Sequence, residues 1–197
     1  MIPDSLIHWD QNATLWLNQL GTSTWDPFWA FMTATKVWFP AYILFVVFVF
    51  WRLGWKKGIA VTLTLIATVV LTDQFSVYVK DSVQRLRPCY NAWMQDNGLR
   101  LPTGIIGYHF GFFSGHASNT FGFAAASYFG LKLYDDRHKY LAYGIGVFIW
   151  AAIVSFSRVI VGAHFLGDIL VGTVFGFAAG WAVTFLIHML FVKIVKQ

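Results

Sequence analysis

The chain has 197 residues, of which 57% are apolar, 19% aromatic and 12% charged. A soluble domain carries roughly 25% charged residues, so this composition excludes an ordinary soluble globule, a coiled coil and a disordered chain, and points to a polytopic membrane protein. All nine acids are Asp and the net charge is +5; no Lys/Arg patch is long enough to bind nucleic acid, so the charge reads as loop charge set by membrane topology.

The N-terminus, Met1-Ile2-Pro3-Asp4, lacks the basic segment of a cleavable signal peptide. Over residues 5–20, Leu6, Trp9, Ala13, Trp16, Leu17 and Leu20 recur at helical spacing with Asp10, Gln11, Asn12 and Asn18 between them. This predicts an amphipathic helix lying in the membrane interface. Five apolar runs follow, at about 27–51, 58–79, 112–133, 140–160 and 165–192. Each is long enough to cross a bilayer, which takes about 20 residues. The expected fold is therefore an all-α membrane bundle of five spans plus the interfacial helix, in a single domain over residues 1–197. The single cysteine, Cys89, cannot form an intramolecular disulfide.

Arg52, Lys56, Lys57, Lys132, Arg137, Lys139, Lys193 and Lys196 fall on one side by alternation, and Lys80, Arg85, Arg87, Arg100 and Arg158 on the other. The positive-inside rule makes the first side cytoplasmic, with the C-terminal tail. The long polar loop at about 80–111, with Gly98, Pro102, Gly104 and Gly107, then faces outward, as does the N-terminal helix. In the last span Gly172, Gly176 and Gly180 form a small-residue stripe, read as close packing inside one subunit. Lys36 and Asp73 are expected to pair, since intramembrane charges seldom stand alone.

Three segments carry chemistry, all at the outer ends of spans. In the first, Lys80 and Arg87 lie seven apart, nearly two helical turns and hence on one face, before Pro88 stops the helix. Taken alone, they are either an anion clamp or snorkelling anchors. In the second, Ser114-Gly115-His116 opens a span, where free backbone N–H groups and the helix dipole suit a phosphate. In the third, Arg158 ends a span, and His164 and Asp168 follow four residues apart on one helical face. A carboxylate so placed fixes the imidazole tautomer and leaves the other nitrogen as nucleophile or base.

These segments resemble the three signature motifs of the type 2 phosphatidic acid phosphatase family, K-x6-R-P, P-S-G-H and S-R-x5-H-x3-D. Lys80 with Arg87-Pro88 matches the first. Ser114-Gly115-His116 matches the second, with Phe113 where proline is usual. Ser157-Arg158, His164 and Asp168 match the third. The resemblance implies a lipid phosphatase without metal or other cofactor. In it His164 attacks phosphorus, Asp168 orients His164, and His116 protonates the leaving oxygen and then activates water. Lys80, Arg87 and Arg158, with Ser114 and Gly115, hold the phosphate.

The expected partners are a lipid phosphate substrate and membrane lipids, at the outer face of a bacterial inner membrane. Undecaprenyl diphosphate is the first expectation for the substrate. Phosphatidylglycerol phosphate, phosphatidic acid and lipid A phosphates are the alternatives. Arg85 and Arg100 either reach a second phosphate or meet head groups, and His109 is assigned to the loop or to the substrate rim. A non-enzymatic transporter is the competing class, but no inverted repeat is visible. The similar motifs of soluble vanadium haloperoxidases are set aside because of the five spans.

Overall fold

The structure, a computed structural model, describes residues 3–104 and 108–195. Met1, Ile2, Gly107 and Lys196 of the sequence analysis lie outside the described residues. Among the described residues the regular elements are all helices, apart from one antiparallel bridge between Leu86 and Phe110. In chain order the helices are α1 (Asp4–Gln19), α2 (Asp26–Thr33), α3 (Phe39–Val83), α4 (Ala92–Asp96), α5 (Gly115–Tyr134), α6 (Leu141–Ile160) and α7 (Leu166–Val195), with short 3-10 turns at Thr35–Trp38 and Pro88–Tyr90.

Three stretches are long and apolar enough to cross a membrane: Thr35–Val83, Leu141–Ile160 and Leu166–Lys193. The first is not one straight rod. Gly54 breaks it with φ 75° and ψ 179°, angles that a residue without Cβ adopts at little cost. The partners along α5 reveal a reversal there. Tyr42 and Phe45 pack on Phe123, and Arg52 pairs with Asp135, so residues 39–53 run alongside α5 in the same direction. Lys57 then bonds the Tyr134 carbonyl, Val61 meets Gly130 and Thr72 bonds Asn119, so residues 55–83 run back.

Helix α5 sits between these arms and α7. Its sequence is small and polar rather than strongly apolar, because it is surrounded by protein. Ala124, Ala125 and Ala126 are buried, and the hydroxyls of Thr120 and Ser127 bond back to helix carbonyls. The α7 stripe packs on α5 as expected. A Cβ on Gly172, Gly176 or Gly180 would lie 2.7, 2.2 or 2.4 Å from the carbonyl oxygens of Ser114, Ser118 and Gly122.

Four expectations need correction. The run at 27–51 is not one helix: α2 ends at Ala34, which is extended, and a 3-10 turn follows before α3. The polar stretch Thr33-Ala34-Thr35-Lys36 breaks the helix, with both threonine side chains bonded to residues of the site (below). Helix α3 stops at Val83 because Gln84 takes a left-handed conformation, so Lys80 and Arg87 do not share a helical face. Among the described residues no ion pair joins Lys36 to Asp73; Asp73 instead accepts from Asn119. Finally, α1 keeps its amphipathic pattern but turns its polar face to the protein. Asp10, Gln11, Thr14 and Asn18 are buried, while Leu6, Trp9, Trp16 and Leu20 face outward. Asp10 and Thr14 accept from the amides of Gly167 and Leu166, capping α7 with side chains from another helix. Asn18 bonds the carbonyls of Val159, Ile160 and Arg100.

Candidate active site

At the end of the bundle where α5 and α7 begin and α6 finishes, a cavity of about 380 Å³ opens. Lys80, Arg87, Gly115, His116, Arg158 and His164 all line it, although they come from three separate stretches of chain. Lys80 is carried by the last turns of α3 and bonds the Ser76 hydroxyl at 3.1 Å. Arg87 arrives on an extended segment after the left-handed Gln84. That segment is pinned by hydrogen bonds from the Arg87 amide to His109 and from the Gly111 amide to Arg85, at 2.9 and 2.8 Å. Arg158 ends α6 and donates to the Thr33 hydroxyl.

His164 stands in the turn between α6 and α7 and is almost fully buried. Arg87 Nη1 lies 2.9 Å from its Nε2. A guanidinium can only donate, so Nε2 accepts, and the ring proton resides on Nδ1. Nδ1 in turn faces Asp168 Oδ2 at 3.4 Å. The imidazole is therefore neutral, with its lone pair on the cavity side. Burial first, then the charges of Arg87 and Arg158, holds the His164 pKa well below the usual imidazole value. Burial likewise lowers the pKa of Arg87, which keeps its proton even so. His116, in the first turn of α5, is placed by the Thr33 carbonyl at 3.1 Å and the Thr35 hydroxyl at 3.2 Å.

The Nε groups of Arg87 and Arg158 are buried and have no hydrogen-bond acceptor among the described residues. Unpaired buried donors are costly, and three cations around one cavity repel each other. An anion with several acceptor oxygens would relieve both.

Ser114 differs from its expected place. Its hydroxyl accepts from the Ala117 amide at 3.3 Å, its own amide donates to Asp168 O at 3.0 Å, and it does not line the cavity. It caps α5 rather than facing a ligand. Phe113, at the position where the resembled motif has proline, is buried and packs on Phe175, and the Phe112–Phe113 peptide bond is cis. His109 stacks on Tyr90 at 4.2 Å, away from the cavity wall. Arg100 pairs with Asp26 at 2.9 Å. Arg85 turns away from the cavity and bridges Asp10 and Asp168, at 2.6 and 2.8 Å. Sequence reasoning missed Thr33, Thr35, Asp10 and the bridging role of Arg85. The one visible signal was a polar Thr-Ala-Thr-Lys stretch inside an apolar run.

This helical bundle, with two histidines and three cations around a buried cavity, has known counterparts. The PAP2 superfamily model matches residues 55–191, more than half of the chain. The chain belongs to the PAP2 superfamily; it is a phosphatase, and its long apolar helices make it an integral membrane protein. It is 29% identical to a lipid A 4'-phosphatase of Bacteroides thetaiotaomicron over 182 residues, 92% of this chain and 78% of that one. It is 27% identical to a lipid A 4'-phosphatase of Porphyromonas gingivalis, over 87% of this chain and 70% of that one. Its fold is similar to that of a transmembrane PAP2 type phosphatidylglycerolphosphate phosphatase from Bacillus subtilis. There the TM-score is 0.70 at 21% identity, covering 98% of this chain and 89% of the other. It is also similar in fold to Aquifex aeolicus LpxE, with a TM-score of 0.62 at 19% identity, covering 87% and 92%.

Proposed function

We propose that the protein hydrolyses a lipid phosphomonoester by two displacements through a phosphohistidine on His164. The observation that carries this reading is the Arg87–His164 hydrogen bond, which leaves a neutral Nε2 lone pair on a cavity wall shared with Lys80 and Arg158. In the first step Nε2 attacks phosphorus and the ester P–O bond breaks. His116 gives a proton to the departing alcohol oxygen. In the second step water attacks the phosphohistidine, His116 takes the proton, and phosphate leaves. Lys80, Arg87 and Arg158 balance the charge on the phosphoryl oxygens, aided by first-turn amides of α5 at Gly115. Asp168 stays behind His164 and steadies the imidazolium-like form. No metal enters these steps.

Two observations favour a lipid phosphomonoester of the lipid A kind over undecaprenyl diphosphate. The two relatives named above are lipid A 4'-phosphatases and align over most of the chain. Arg85 and Arg100, the extra outer cations that a second phosphate would call on, are held by Asp10, Asp168 and Asp26. A lipid substrate is further supported by an apolar groove of about 320 Å³ that shares Trp38 and Tyr42 with the polar cavity. The bundle is read as five membrane crossings, with the reversal at Gly54 separating the first two. The site then faces the exterior and the basic Arg52–Lys57 and Lys132–Lys139 turns face the cytoplasm.

The test is phosphate release from lipid A, phosphatidylglycerol phosphate, phosphatidic acid and undecaprenyl diphosphate, with a chelator present, for wild type and His164→Ala. It is run in micelles and again in sealed vesicles of known orientation with substrate added outside. The expected result is fastest release from lipid A, lost in His164→Ala and retained in right-side-out vesicles. Faster release from undecaprenyl diphosphate would overturn the substrate, and activity surviving in His164→Ala would overturn the mechanism.

A further inference from the structure

Behind His164, Asp168 is the first link in a chain of charges whose further members, Arg85 and Asp10, the reaction steps above do not use. Asp168 is fully buried. Its Oδ2 accepts from the Phe165 amide at 3.1 Å and faces His164 Nδ1 at 3.4 Å, while its Oδ1 accepts from Arg85 Nη1 at 2.8 Å. The other terminal nitrogen of Arg85, Nη2, donates to Asp10 Oδ2 at 2.6 Å. The second oxygen of Asp10 accepts from the Gly167 amide at 2.8 Å. The guanidinium also lies over the Phe165 ring, 4.1 Å from its centroid. Its position is thus fixed by two carboxylates and an aromatic face. A planar fork can span two carboxylates in this way, whereas the point charge of a lysine cannot.

The space between these groups is tight. A Cβ on Gly111 would come within 3.1 Å of Asp168 Oδ2 and 3.2 Å of Arg87 Cγ, so a side chain there would press on the carboxylate. The Gly111 amide bonds the Arg85 carbonyl at 2.8 Å, tying this glycine to the same arginine. Neither Asp10 nor Arg85 lines the cavity.

We propose that Asp10 and Arg85 are positioning residues: α1, through Asp10, locks Arg85, and Arg85 holds Asp168 in the rotamer that presents Oδ2 to His164. The N-terminal helix is thereby part of the catalytic apparatus, although it contributes no group to the cavity. The proposal rests on the reading of His164 as nucleophile. At 3.4 Å the His164–Asp168 contact is long, so its quality depends on what holds the carboxylate from behind.

The test uses the full chain in micelles with the lipid phosphomonoester that the wild type turns over. Arg85→Gln, Asp10→Asn, Asp168→Asn and the double variant Arg85→Gln/Asp168→Asn are compared by kcat, KM and melting temperature. Arg85→Gln is expected to lower kcat about 10- to 100-fold, the cost of a misplaced catalytic group, with KM within about twofold. Asp10→Asn keeps an acceptor for Gly167 but releases Arg85, and lowers kcat by a smaller factor without loss of folding. Because Arg85 acts through Asp168, the double variant should match Asp168→Asn alone within about threefold, since effects routed through a shared partner do not add. Full multiplication of the two losses, or a change confined to KM, would overturn the relay. If Arg85→Gln fails to fold, a folded Asp10→Asn with wild-type kcat overturns it and one with reduced kcat upholds it. Wild-type kcat in Asp168→Asn would instead break the underlying reading of His164.

Discussion

Arg87 and His164 define each other chemically. The guanidinium has no lone pair to offer, so its contact with Nε2 is possible only when that nitrogen is unprotonated. Burial and the surrounding cations reinforce the same state. The Nε2 lone pair is thus unprotonated but engaged by Arg87; in the proposed mechanism an arriving phosphate draws Arg87 from the ring onto its own oxygens and frees it. We predict that ring nitrogen shifts of His164, measured by NMR on isotope-labelled protein, show the Nδ1-protonated neutral form at pH 8 and still at pH 6. Titration of His164 near the ordinary value of about 6.5 would contradict this. The sign of the stability linkage follows. Below about pH 6.5 the unfolded chain binds a proton that the folded site refuses, so this group makes the fold less stable as pH falls.

The clustering of these residues was legible because motif spacing fixed which residue types recur together: Lys80, Arg87, His116, Arg158 and His164 all line one cavity. Ser114 was misread because a helix-opening serine serves equally well as a cap or a ligand, and the spacing is the same for both. Asp10 went unread as a site residue, and Thr33 showed only as part of a polar break, for another reason. Their partners lie more than a hundred residues away, at Gly167 and Arg158, and no local pattern encodes such a distance.

The elements were legible to differing degrees. Apolar run length located α6 and α7 well, because a membrane segment must be continuous and apolar. Run length placed a break between residues 51 and 58, where Gly54 reverses the chain, but failed at Ala34, where the partners of Thr33 and Thr35 decide the path. It also could not tell which face of α1 points inward. Periodicity gives two faces, but here the polar one is satisfied by the α7 amides and the α6 carbonyls, and the apolar one is left for lipid. The α7 glycine stripe offers a direct test of packing. At Gly176 a Cβ would meet the Ser118 carbonyl at 2.2 Å, whereas at Gly146 in α6 nothing lies within 4 Å. Gly176→Ala should destabilise the bundle by about 1–3 kcal/mol through overpacking. Gly146→Ala should be neutral or stabilising by up to about 1 kcal/mol, since alanine costs the helix less entropy. Thermal unfolding in one detergent compares them, and equal stability of the two variants would contradict the close α5–α7 approach.

At the scale of the molecule, the bundle separates two polar ends. One holds Arg52, Lys57, Asp135 and Tyr140, tied by the Arg52–Asp135 pair and the Tyr140–Asp135 hydrogen bond. The other gathers the histidines and cations, with the first-span break supplying Thr33 and Thr35 as a wall. An apolar groove shares Trp38 and Tyr42 with that polar cavity; in the proposed reading a lipid offers its phosphate to His164 while its chains stay among these apolar side chains. Every part of this account converges on a covalent bond between His164 and phosphorus. The most direct measurement is a rapid quench of the enzyme turning over a lipid phosphomonoester labelled in its phosphate, stopped in alkali, with the labelled peptide mapped by mass spectrometry. The account predicts alkali-stable, acid-labile label on His164 that appears before free phosphate. Label on His116 or another residue, or full turnover with no labelled protein at any time, would contradict it.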